Sequence, residues 1–350
     1  MTQLTLAIEP STRYEAIDVR SRVAAEFGDV LARHYRAAYC SLHTTAGYLD
    51  QALTTRLRSD GGLHHFFGAF RTLFPPGAAY HHDRMELRSE LSPEERLTEP
   101  RNADSHLTFI GSGLRNCVTH VNRGDAPVYF VDLDGVNGGS RRRRLTTVLA
   151  YDEERVVERR RISVPVSYHP VDSINLADPR GGFLDEIRDL LARAGVAQAR
   201  VDITLEPNEG NAGLTVNEYE TMLMRHDLAE ILHNPMKFAA QKSRHMFEDP
   251  LAIPGKTVNY AKYDFVHMFN SLMEAFGTDA SLVERMLARL IAVPARRFLR
   301  MKRGISFLAT DSGGGSAKLL HGRYQSPILV QWRPASTLTR QVDVTLVELI

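Results

Sequence analysis

The feature that most constrains this chain is an internal repetition: the order strand, helix, strand is read once between residues 14 and 45 and again between residues 171 and 205. In the first pass residues 16–19 alternate, residues 23–36 carry amphipathic helical spacing, and residues 37–42 form an apolar run that ends at His43. In the second, residues 171–176 alternate, residues 183–194 are amphipathic, and residues 199–205 alternate again. Both expected helices contain a Leu-Ala-Arg, at residues 31–33 and 191–193. Each half also closes with a hairpin pattern: residues 126–133 with 142–151, and residues 326–332 with 340–349. Repetition of this kind predicts two copies of one α+β unit, with the boundary at the charged run 156–161.

Length agrees with that reading, because 350 residues exceed the roughly 100–200 of a single domain. The copies expected are residues 1–160 and 161–350. Between residues 220 and 303 the second copy carries helical periodicity with no counterpart of that length in the first, including residues 283–291 and the basic 296–303, so a helical insertion is expected.

Charge narrows the partners. The 43 Lys+Arg nearly cancel the 42 Asp+Glu, which leaves no global field to gather nucleic acid or an anionic membrane. The expected partner is a small molecule, with no nucleic acid and no membrane. Cys40 and Cys117 have no metal-ligand spacing and form no disulfide framework. The N-terminus does not read as a signal peptide, and no apolar stretch reaches the roughly 18 residues of a membrane span, so a cytoplasmic location is expected.

Three histidines of the first half fall at ends or turns of expected elements: His43 in His43-Thr44-Thr45-Ala46, His82 beside Asp83, and His106 in Asn102-Ala103-Asp104-Ser105-His106. Imidazoles there can hold a divalent metal such as Zn, Mn or Fe with an open position, or act as acid and base, with Asp83 or Asp104 fixing their tautomers. The ordinary alternative is that scattered histidines among 14 are surface or satisfied core residues. No HExxH-like spacing decides between these readings.

Taken together, His43-Thr-Thr-Ala, His82-Asp83, Asn102-Ala-Asp-Ser-His106-Leu107 and the Asp134-Gly135 turn before an arginine-rich hairpin resemble the YjbQ-like family, also called secondary thiamine-phosphate synthases. The resemblance runs from about residue 14 to residue 151. It implies a compact α+β sandwich that assembles as a homo-oligomer, a trimer for single-copy members, with the motif histidines clustered near subunit contacts. It implies His43, His82 and His106 as the metal-binding or catalytic set, and two YjbQ-like domains in tandem.

The second half is similar but diverged. Aligned on the same motif, Glu209 stands at the position of His43, while Asn217-Glu218 keeps an Asn-Glu pair that the first half replaces with Gln51-Ala52. Gly322-Arg-Tyr-Gln325 approximates a family Gly-x-Trp-Gln, where the first half has Asn122-Arg-Gly-Asp125. Each half has lost what the other keeps. One site built across both copies follows as an expectation: His43, His82, His106, Asp104 and Glu218 catalytic, and Thr44, Thr45, Asn102, Glu209, Asn217 and Gln325 binding substrate. The competing reading is that the second half is a scaffold whose polar residues cap turns. His267 is a loose counterpart of His106.

The expected function is thus an enzyme acting on a small polar or phosphorylated metabolite at a histidine-rich, metal-binding or acid/base site, with thiamine-phosphate-synthase-like transfer implied by the resemblance. The alternative is a non-catalytic small-molecule-binding or assembly protein, which Gln51, Ala52 and Glu209 at motif positions favour. Arginines 141–144 are read as alternating between faces and either solvated or paired with carboxylates rather than as a phosphate clamp. Residues 312–316, Ser-Gly-Gly-Gly-Ser, read as a hairpin turn without the P-loop ending.

Overall fold

In the computed structural model the described residues are 1–58, 61–122, 126–234, 237–239, 302–311 and 317–350. The expected helix 283–291, His267 and the turn 312–316 lie outside them, as does most of the expected insertion. The chain divides into two compact units. One comprises Met1–Gln51, Gly113–Glu220 and the C-terminal stretch to Ile350; the other comprises Ala52–Ser112 and, from Thr221, the described residues up to 239.

The first unit opens with β1 (Thr2–Ile8), β2 (Glu15–Asp18), helix α1 (Val19–Phe27), β3 (Arg36–Ser41) and β4 (Ala46–Tyr48). The sequence leads one to expect a helix over 23–36. Instead the helix begins earlier, where Asp18 caps the N–H of Arg20, and ends at Gly28 with φ +69°. The chain then leaves for the second unit, carrying α2 (Gln51–Arg56), α3 (Gly62–Leu73), α4 (Pro93–Thr98) and α5 (Ala103–Ser112). It returns through β5 (Cys117–Val121), β6 (Tyr129–Asp132), the short hairpin β7 (Val136–Asn137) and β8 (Ser140–Arg141), and β9 (Arg144–Tyr151).

The second half of the first unit holds β10 (Glu154–Pro165), β11 (Asp172–Asn175), α6 (Phe183–Ala194), β12 (Gln198–Leu205) and β13 (Ala212–Asn217). After a second excursion, through α7 (Leu228–His233), come β14 (Gly304–Thr310), β15 (Lys318–Leu319), β16 (Ser326–Gln331) and β17 (Thr339–Leu349). The charged run 156–161 lies inside the long strand β10.

Strand order repeats between the halves. The sheet β1-β9-β3-β5 has its counterpart in β10-β17-β12-β14-β15, and the small sheet β2-β6-β4 in β11-β16-β13, all antiparallel. Each large sheet covers a core on one face: Leu6, Val23, Tyr39, Phe130 and Val148 in the first half, Ile187, Leu190, Val201, Ile203 and Val344 in the second. Alternation along β12 sends Val201, Ile203 and Leu205 inward into the core cluster that α6 also joins, which is what a half-buried strand requires. The other faces of the two sheets meet in a third cluster of Ala38, Cys40, Cys117, Leu149, Leu308 and Val347. Cys40 and Cys117 oppose each other across β3 and β5 as free, buried thiols.

In the second unit, α3 buries Phe66, Phe70 and Leu73 at helical spacing, and the Phe66 and Phe70 rings meet edge to face at 5.2 Å. Ser92 and Glu95 close a capping box on α4. Among the described residues no helix is long and apolar enough to cross a membrane.

Candidate functional site

In the first unit β3 delivers the chain to a tight segment, residues 41–45, before β4 carries it away. This segment is held from the second half. The Gln325 carboxamide donates to the carbonyls of Ser41 (3.0 Å) and His43 (2.8 Å), and accepts from the Gly322 N–H at 2.9 Å. Gly322 approaches so closely that a Cβ there would lie 1.8 Å from the Leu42 carbonyl oxygen, so only glycine fits. Asn217, fully buried, donates to the Thr44 carbonyl at 3.0 Å and accepts from the Glu218 N–H. Both carboxamides, themselves buried, thereby satisfy backbone carbonyls of this segment, that of Ser41 fully buried and those of His43 and Thr44 half-buried.

The arginine-rich β8–β9 connection lies beside the same segment. Buried Arg144 is forked onto Asp132 at 2.6 and 2.8 Å and also donates to Thr45 Oγ1 and the Asp134 carbonyl, while Arg142 pairs with Asp134 at 3.0 Å. Pairing with carboxylates is one of the two states the sequence predicts for these arginines, exposure to solvent being the other. Arg141 and Arg143 are exposed.

Protonation of His43 follows from its surroundings. Its Nε2 accepts the Leu145 backbone N–H at 2.8 Å, so the neutral ring carries its proton on Nδ1. Burial, together with the Arg144 and Arg142 guanidiniums, pulls its pKa down to about 4. His43 is therefore a neutral hydrogen-bond donor at physiological pH. It suits a metal ion poorly: one nitrogen is occupied and two cations stand nearby.

Glu209 occupies the equivalent place in the second half. Its carboxylate accepts the Gln341 N–H at 2.7 Å and pairs with buried Arg340 at 2.9 Å. Gln341 follows Arg340 as Leu145 follows Arg144.

The second unit holds its own histidine cluster. His82, fully buried, places Nδ1 3.1 Å from Asp83, and the same carboxylate oxygen accepts the Ala103 N–H at the start of α5. The rings of His82 and His106 are 5.2 Å apart. His106 lies within α5 and is buried, as are Asp104 and Asn102, whereas the sequence leads one to expect a turn there. Asn102 instead starts the helix through its carbonyl, which accepts from Ser105 and His106. Asp227, fully buried in a π-helical turn (Met222–Asp227), accepts the N–H of His81 (2.8 Å) and of His82 (2.9 Å). Burial raises its carboxyl above the usual range against those two hydrogen bonds. The His81 ring stacks on His226 at 4.8 Å, and ligand atoms of His81, Asp227 and Glu230 lie within 4.8 Å of one another.

Comparison with known proteins yields solved structures of YjbQ-like type. A YbjQ-like protein of unknown function from Sulfolobus solfataricus is 15% identical, with 56% of this chain and 99% of that one covered and a TM-score of 0.28. A hypothetical protein from Aeropyrum pernix K1 is 13% identical over 54% and 97%, with a TM-score of 0.27. A conserved protein of the YjbQ/UPF0047 family from Clostridium acetobutylicum is 14% identical over 55% and 99%, with a TM-score of 0.26. No protein-family model and no curated protein matches the chain. So distant a likeness concerns a YjbQ-like fold over about half of the chain, and says nothing of activity.

Of the residues singled out in the sequence, the structure gathers His43, Thr44, Thr45, Asn217 and Gln325 in the first unit. It gathers His82, Asp83 and His106 in the second. Gln51, at an altered motif position, exchanges two hydrogen bonds with the Val121 backbone. Sequence reading passes over His81, His226, Asp227 and Glu230. Their one signal is the spacing of Asp227 and Glu230, three residues apart on a helical stretch. A separate cleft of about 620 Å³ is lined by Arg115, Glu154, Arg200 and Asp202 among others. Its central charges are engaged with one another, Arg200 with Glu154 at 2.8 Å and with Asp202 at 2.9 Å.

Proposed function

We propose that the chain is an enzyme acting on a small polar or phosphorylated metabolite, with His43 as a neutral hydrogen-bond donor and acid toward an oxygen of that substrate. The observation that carries this reading is the Leu145 N–H bonded to His43 Nε2, which leaves the proton on Nδ1 and the ring neutral. A neutral imidazole of this kind polarises a carbonyl or phosphoryl oxygen without the cost of an imidazolium. The exposed Arg141 and Arg143 favour an anionic substrate. His82, oriented by Asp83, and His106, whose ring lies 5.2 Å from that of His82, supply further acid/base groups in the second unit. Thiamine-phosphate-synthase-like transfer is the first reaction to assay.

Descent of the two halves of the first unit from a duplicated YjbQ-like unit belongs to this proposal. Support comes from the repeated strand order and from the paired roles of His43 and Glu209. Assembly of several copies belongs to it as well, and light scattering measures that directly.

A second reading, a non-catalytic binding or assembly protein, is favoured by Gln51, Glu209, Asn217 and Gln325, each held in bonds within the protein. Turnover of phosphorylated metabolites by the native chain, His43→Ala and His106→Ala decides between the two. Loss of turnover in folded variants supports the enzyme. Turnover unchanged in both removes these histidines from the chemistry.

A further inference from the structure

We propose that His81, Asp227 and Glu230 form a binding site for a first-row divalent cation, Zn²⁺ or Mn²⁺, in the second unit. One imidazole nitrogen and two carboxylates are a donor set that such ions accept, and three protein ligands leave a position open for water or substrate. Their ligand atoms lie within 4.8 Å of one another, close enough for small side-chain rotations to bring all three onto one ion.

Two further observations point the same way. His81 Nδ1 and Glu230 Oε2 are both buried with no hydrogen-bond partner, although each belongs to a group that ordinarily finds one. His81 Nδ1 stands 3.4 Å from Asp227 Oδ1, within ion-pair reach for a protonated ring but without a hydrogen bond between them, so a neutral His81 turns a free nitrogen toward the carboxylate. A cation among the three would satisfy both orphaned atoms and offset the burial of Asp227. Asp227 is also fixed in advance: the N–H groups of His81 and His82 bind its two oxygens, so the ligand carboxylate is tied to the backbone of the ligand histidine. Lys237 Nζ, 2.5 Å from Glu230 Oε1, occupies the remaining oxygen and competes electrostatically with an incoming ion.

None of these ligands is among the histidines expected to bind metal, and the site stands or falls separately from the role of His43. Chain topology explains why: His81 comes from the excursion after β4, and Asp227 and Glu230 from the excursion after β13.

The test uses the full chain, purified without a metal-affinity tag and stripped with chelator, titrated calorimetrically with Zn²⁺ and Mn²⁺. Native protein is expected to bind about one equivalent tightly, and His81→Ala and Glu230→Gln to bind about 100-fold more weakly. Lys237→Met, which removes the competing charge, is expected to tighten binding, an effect that a merely structural role for these residues would not produce. His169→Ala, which removes an exposed histidine of the first unit, leaves binding unchanged. Co²⁺ gives a second readout, with ligand-field absorption in the native protein and none in Glu230→Gln. Circular dichroism verifies folding, and should His81→Ala unfold, the near-isosteric Glu230→Gln and Lys237→Met decide the matter. Absence of tight binding by the native chain, or equal affinity in the native chain and Glu230→Gln, overturns the proposal.

Discussion

His43 and Glu209 receive the same hydrogen bond: the backbone N–H that follows a buried arginine, from Leu145 after Arg144 and from Gln341 after Arg340. What differs is where the arginine finds its carboxylate. Arg144 forks onto Asp132, which stands opposite Ala46 in the small sheet. The residue opposite Ala212 at the matching register of the second half is Gln331, and Arg340 pairs with Glu209 instead. The negative charge stands on the strand in the first half and on the loop in the second, where no imidazole occupies that place.

Removing that carboxylate should therefore strand a buried guanidinium. Glu209→Gln is expected to destabilise the protein by about 3 kcal/mol, because Arg340 keeps only carbonyl partners. Adding Gln331→Asp to Glu209→His rebuilds the first-half arrangement, and the pair should be more stable than the sum of the single changes by about 1 kcal/mol. Urea denaturation of the native chain and the four variants measures both, and strict additivity would count against the equivalence.

Stability should depend on pH through His43. Its folded pKa of about 4 lies below the ordinary 6.5, so the folded state resists a proton that the unfolded chain accepts. Above about pH 6.5 the ring is neutral in both states and contributes no slope. As pH falls from there toward 4 only the unfolded chain is protonated, and roughly 2–3 kcal/mol of stability is lost across that window. His43→Gln removes this slope while leaving those of other groups. Parallel stability curves for the native chain and the variant between pH 4 and 7 would show that His43 is not held neutral.

Much of this arrangement is legible in the sequence, and what is not has physical reasons. Alternation at residues 199–205 and the apolar run before His43 become β12 and β3, because strands with a buried face must alternate or run apolar. The amphipathic spacing 23–36 misleads: Gly28 ends α1, and the chain needs residues 34–36 to enter β3. His106 reads as a residue at an end or turn of an element, yet Asn102 starts a helix there, and all of α5 is buried. His81 and Asp227 are 146 positions apart, and no local pattern announces a contact made by the folding of two excursions.

Substitution at Gly322 tests the contact between the halves. An added methyl would overlap the Leu42 carbonyl at 1.8 Å, and the obstacle is backbone, which no rotamer change can clear. Gly322→Ala is expected to cost about 3 kcal/mol or more and to broaden the NMR signals of residues 41–45. Stability within about 0.5 kcal/mol of native would mean that the two segments do not approach this closely.

Gln325 connects that contact to the histidine. In Gln325→Met the side chain keeps its length but donates nothing, so the Ser41 and His43 carbonyls lose a buried partner each, a loss of about 2–3 kcal/mol. The effect should reach the ring as well. With its own carbonyl released, His43 is free to turn from the Leu145 N–H and toward water, which lessens the desolvation that depresses its pKa. The His43 titration should move up from about 4 toward 6.5, and the pH at which stability begins to fall with acid stays near 6.5 while the total loss shrinks. Two-dimensional NMR of the imidazole carbons through a pH titration separates this from simple destabilisation. A destabilised variant whose His43 still titrates near 4 would assign Gln325 to packing alone, whereas a raised value makes the second half's carboxamide the group that holds the first half's histidine neutral.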